Sequence, residues 1–144
     1  MLIRGQNNRD VWGYTSDKLA LVVADEIPFK IEIVPPQAPL PRNGSMDLKI
    51  VATRAADFKA PIALSLAYNP PGVASSVSEV IPEGQNEGVI PLTANAQAAV
   101  GPWRIVVLGK SAHGNGSVEG ATQFVDLNIA ESFYAITLPK STIE

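Results

Sequence analysis

The chain holds one histidine, His113, so any Ser-His-Asp arrangement must use it as the base. It lies in Ser111-Ala112-His113-Gly114-Asn115-Gly116-Ser117, where nothing rigid aims an imidazole, and it reads as a solvated loop residue. Glycoside hydrolysis needs two carboxylates facing each other across a bond. Glu83 and Glu87 flank Gly84-Gln85-Asn86, but a segment of this composition reads as a solvated turn. With no nucleophile–base pairing in view, the chain is expected not to be an enzyme.

Binding chemistry is better represented. Aromatic rings pack on the apolar faces of sugars. Trp12 and Tyr14 alternate with Val11 and Gly13, so they share one strand face and are the candidate ligand-binding residues for a cell-surface polysaccharide. The competing expectation, which is the favoured one, is that this face is buried. Trp103 alternates with Ile105 and Val107 and reads as core. Calcium takes about six to eight oxygens. Asp25 and Glu26, with Glu131 at the equivalent point of the internal repeat set out below, are candidate metal ligands at module junctions, although no Asp-x-Asp-x-Asp spacing supports them. No other cofactor is expected. Cysteine is absent, which removes disulfides and a thiolate zinc site. Asn43-Gly44-Ser45 and Asn115-Gly116-Ser117 match the glycosylation sequon and are also ordinary turn sequences.

The elements that must position these residues are strands. Twelve prolines and eleven glycines in 144 residues punctuate short runs of Val, Ile and Leu. Alternation predicts strands over 19–23, 29–33, 46–52, 62–68, 77–81, 90–94, 103–107 and 125–129. The proline-rich stretch 35–41 reads as an extended connector, 110–120 as a loose glycine- and serine-rich loop, and 94–100 as at most one helical turn. A net charge of −3 with no basic stripe argues against nucleic acid. There is no apolar run long enough for a transmembrane helix. Met1-Leu2-Ile3-Arg4 turns polar too soon for a secretory signal, so any signal is expected upstream.

The start of the chain repeats its end. Leu19, Leu21, Val23, Ala24 and Asp25 match Val125, Leu127, Ile129, Ala130 and Glu131, and Ile31 and Ile33 match Ile136 and Leu138. Leu2-Ile3-Arg4-Gly5 likewise parallels Val106-Val107-Leu108-Gly109. A period of about 100 residues is one immunoglobulin-sized β-sandwich. The expected organisation is the closing strands of one repeat at 1–27, a complete sandwich at 28–131 and the start of another at 132–144. The partial first repeat is expected to pair along an edge of its own module. Strand exchange with another chain is the alternative.

Between Ile62 and Gly109 an apolar strand leads to Pro70-Pro71-Gly72-Val73. A short strand then closes at Ile81-Pro82-Glu83-Gly84, and Pro91-Leu92-Thr93-Ala94, Gly101 and Trp103 follow in order. This arrangement, over about residues 28–131, resembles the immunoglobulin-like modules of large bacterial surface proteins, most of all the tandem repeats of planctomycete-type secreted proteins. The resemblance implies an all-β, immunoglobulin-like antiparallel sandwich with Greek-key connections. It implies an extracellular, cell-surface or periplasmic site and neighbouring repeats as partners. The expected role is a structural spacer or adhesion module. A fibre or coat subunit assembling by strand exchange and a carbohydrate-binding module are the alternatives. Many such sandwiches carry a tyrosine where Trp103 stands, and an indole can only donate, so the usual hydroxyl bond to the corner is not assured.

Overall fold

The computed structural model describes residues 2–4, 10–12, 26–76 and 79–132. Among them there is no helix. The strands are β1 (Leu2–Arg4), β2 (Asp10–Trp12), β3 (Phe29–Ile33), β4 (Leu40–Pro41), β5 (Ser45–Arg54), β6 (Ile62–Leu66) and β7 (Val73–Ser75). They continue with β8 (Glu79–Ile81), β9 (Glu87–Ala94), β10 (Gly101–Ile105), β11 (Val107–His113), β12 (Gly116–Ala121) and β13 (Val125–Ala130). β1 and β2 pair with each other as an antiparallel ladder. The expected strand at 19–23, and with it the cis pairing of the first segment, lies outside the described residues, as does the continuation at 133–138.

One four-stranded sheet runs β3-β5-β9-β7 and another β12-β11-β6-β8; a third ladder runs β10-β13-β4. Every pairing is antiparallel except β13 with β4, which is parallel. Alternation makes each strand two-faced. Phe29, Ile31 and Ile33 point inward from β3, and Leu48, Ile50 and Ala52 from β5. Ile62 and Leu64 of β6 and Val107 of β11 point back from the other sheet. The two faces meet: a Cβ on Gly109 of β11 would lie 2.8 Å from Ile31 of β3, and one on Gly88 of β9 would lie 2.7 Å from Ile81 of β8. A shared apolar core of this kind is consistent with a β-sandwich.

β10 and β11 act as one strand. Odd-numbered residues from Trp103 to Ser111 face inward straight through Val106. β12 and β13 do not share this continuity. Leu108 pairs with Ala121 but Ile105 pairs with Val125, so one extra residue is inserted between Ala121 and Val125. This is a β-bulge. Thr122 anchors it: its N–H donates to the Val107 carbonyl at 2.9 Å, and its Oγ1 accepts the Val107 N–H at 3.1 Å. The bulge turns Phe124 outward, 60% exposed.

The sequence expectation of a loose loop at 110–120 is corrected by a hairpin. His113 pairs with Gly116 across a two-residue turn in which Gly114 has φ 55°. Glycine at the first central position with positive φ is the signature of a type II′ turn, whose twist suits a hairpin. The glycines there make space. Gly109 and Gly120 stand opposite each other, and the Phe29 ring edge lies 3.3 Å and 3.5 Å from where their Cβ atoms would be. Residues 94–100 form a turn, closed by the Ala98 N–H on the Asn95 carbonyl. The connector 35–41, expected to be extended, bends at Gln37 and Ala38 and ends in β4. Its prolines let the chain leave the sheet of β3 and join β13. Pro91 sits inside β9 and turns its carbonyl away from β5 to accept from Ser76 beyond the end of β7, so its missing N–H also faces away from β5 and takes no bond from the β5–β9 ladder.

Candidate functional site

Among the described residues the sandwich begins at β3 and ends at β13, and these two points, its entry and exit, lie at opposite ends of β5. Phe29 is level with Arg54, the last residue of β5. At the other end, Gly44, just before β5, accepts the Ala94 N–H at 2.9 Å, and the neighbouring Arg42 N–H donates to the Ala130 carbonyl at 2.9 Å. Ten residues of β5 at about 3.3 Å each separate entry from exit by about 30 Å.

At the exit, Arg42 joins three parts of the chain. It follows β4, whose Leu40 and Pro41 run parallel to Ile129 and Ala130. Its Nε donates to the Ala98 carbonyl at 2.8 Å. Its Nη1 donates to both Glu131 carboxylate oxygens, at 2.9 and 3.0 Å. The Arg42 side chain is only 28% exposed whereas Glu131 is 71% exposed. The bond to Ala98 is therefore the better shielded of the two, and the ion pair is partly screened by water.

At the entry end, Arg54 does comparable work. Its guanidinium donates to the carbonyls of Gln85, Ala60 and Pro82 and lies 5.6 Å from the Phe58 ring centroid. Burial pushes its pKa down from the usual arginine value, since desolvation disfavours the charged form. Phe58 stacks on Phe29 at 5.6 Å and meets the His113 ring at 6.0 Å. Each end is thus tied by one arginine that satisfies loop carbonyls.

The other sequence candidates scatter. Tyr14 and Asp25 lie outside the described residues; Trp12 lies in β2, and its side chain is outside the description too. Glu26 is exposed. Glu131, named as a metal ligand, is engaged by Arg42. Among the described residues no group of three or more His, Asp or Glu comes together as a metal site. Glu87 pairs with Lys49 at 2.9 Å. His113 is exposed as expected, but on the end of a strand instead of in a loop. Trp103 is half-buried against the core, and its indole N–H donates to the Ala99 carbonyl four residues upstream at 2.8 Å. The donor-only ring thus still ties the corner. Arg42 and Arg54 escaped sequence reasoning because their partners are backbone carbonyls from distant loops, which carry no side-chain signal.

No protein-family model and no curated protein matches the sequence. Solved structures similar to the chain include the crystal structure of the S-layer protein SbsC domains 4 and 5, at 15% identity and a TM-score of 0.39. The likeness covers 70% of this chain and 51% of that one, so the chain spans about half the length of that structure.

Proposed function

We propose that this chain supplies a non-catalytic, immunoglobulin-like sandwich module that acts as a load-bearing spacer in a secreted or surface-anchored bacterial protein. The observation that carries the reading is the parallel pairing of β4 with β13, locked by Arg42. Tension applied at entry and exit pulls these neighbouring strands in opposite directions along their length. Their bonds are then loaded together in shear and cannot open one at a time. The separation of entry and exit by the length of β5 suits end-to-end linkage with neighbouring repeats. The strand order supports the finer topology. β3-β5-β9-β7 forms one layer, while β8-β6-β11-β12, continued through β10, β13 and β4, forms the second, in the manner of a Greek key.

The test is single-molecule pulling of the chain from both termini. A load-bearing module unfolds in one high-force step, and Arg42→Ala lowers that force more than an equally destabilising core substitution does. Unfolding at low force, or equal loss of force for the two variants, rejects the reading.

A further inference from the structure

The two outer faces of the sandwich carry their charge differently. On the β3-β5-β9-β7 sheet, Lys30 pairs with Glu32 and Lys49 with Glu87, so charge there is satisfied within the chain. On the β10-β13 ladder Arg104 stands directly opposite Asp126, and both are exposed. Among the described residues neither makes an ion pair. Arg104 lies instead over the Phe124 ring, 4.7 Å from its centroid. That contact anchors the guanidinium and leaves its N–H donors for another partner. The Tyr68 hydroxyl donates to the Arg104 carbonyl and so fixes the backbone that carries the arginine.

Among the described residues Phe124 is the most exposed large hydrophobic side chain, at 60%. Its outward position is built into the backbone. The Thr122 hydroxyl, which accepts the Val107 N–H, also donates to the Gln123 carbonyl at 2.9 Å, so the bulge is held from both sides. Bulges of this kind re-aim a side chain and gather next to functional sites. Beyond the bulge, Asp126 and Asn128 point the same way as Phe124, alternating with the inward Leu127 and Ile129. The three form a row about 13 Å long on an open sheet face, with Arg104 beside it.

We propose that this row binds a neutral polysaccharide chain. An apolar ring, a fork of N–H donors, a carboxylate and a primary amide side by side are the complement of a sugar. Phe124 packs on the C–H face of a sugar ring, and hydroxyls, each both donor and acceptor, bridge Arg104 and Asp126. The two charges cancel, so the patch has no net pull on an ion, and the carboxylate competes with any anion for the arginine. The net charge of −3 further disfavours an acidic polymer. A single small ligand needs a concave pocket, whereas an open row longer than one sugar ring suits successive units of a polymer. The row shares no residue with the Arg42 clamp, so it stands apart from the load-bearing reading.

The experiment is co-sedimentation of the full chain with insoluble cellulose, chitin and a β-1,3-glucan, beside affinity electrophoresis in polygalacturonate, at low and high salt. At least one neutral polymer is expected to retain the chain, with little change on adding salt. Phe124→Leu keeps an apolar side chain but loses the flat ring, and Arg104→Ala loses the donor fork. Each is expected to weaken binding about tenfold. Phe124→Tyr keeps a ring and is expected to bind as the wild type does, and Trp12→Ala is expected to change nothing. A chain that no neutral polymer retains, retention indifferent to Phe124→Leu, or capture by polygalacturonate alone and released by salt each overturns the proposal. The substituted positions on the row are exposed, and matching urea midpoints confirm that those variants fold.

Discussion

At the scale of single residues, the two arginines show how a charge is put to structural use on a strand module. Arg42 satisfies Ala98, a carbonyl in a turn that has no ladder to join. Arg42→Ala leaves that partly buried acceptor without its partner and is expected to cost about 1–2 kcal/mol in urea unfolding. Glu131→Ala removes only the exposed half of the contact and is expected to cost no more than about 0.5 kcal/mol. Equal losses for the two would show that the ion pair, not the carbonyl bond, holds the exit. Trp103 makes a similar point. Trp103→Phe keeps a ring against the core but drops the bond to Ala99, so a loss of about 1 kcal/mol is expected. A loss of several kcal/mol would mean that packing volume dominates at this site.

Among the elements, the glycines divide by what surrounds them, and one substitution type separates the cases. At Gly114 nothing lies within 4 Å of an added Cβ, so Gly114→Ala meets only the left-handed backbone cost of the turn, about 1–2 kcal/mol. At Gly109 the backbone is ordinary, but the Cβ would crowd Ile31 at 2.8 Å and Ile62 at 3.0 Å, both side chains at the join of the two sheets. Overpacking of about 1–3 kcal/mol is expected there. Gly72 combines both: its φ is 78° and its Cβ would lie 2.5 Å from the Ala98 backbone. Gly72→Ala should therefore be the most damaging of the three in thermal unfolding. If Gly109→Ala proves neutral, the Phe29 ring and its neighbours have room to shift, and the glycine pair at 109 and 120 is not needed to seat it.

For the whole molecule, stability rests on the join between the two sheets. Leu64 of β6 is buried, and Leu64→Ala is expected to cost about 2–5 kcal/mol by the cavity it leaves. That substitution is also the control for the pulling experiment, since β6 pairs with β8 and β11 and takes no part in the parallel strand pair. Much of this architecture was legible beforehand. The period-two runs at 29–33, 46–52 and 90–94 became β3, β5 and β9 because alternation between a buried and a wet face is itself a local pattern. The hairpin at 107–121 was not legible. Its glycines and serines resemble a loop until Phe29 arrives from the other sheet to fill the space they leave. The sequence by itself determined that the chain is all-β, where most strands lie and which side chains face inward, since these follow from side-chain order along a single strand. Only the tertiary structure decided which strands become neighbours, that β4 runs parallel to β13, that the carbonyls of Ala98 and Pro82 face arginines, and that the two outer faces carry different charge. Each of those depends on residues tens of positions apart being brought into contact, and no local pattern encodes that.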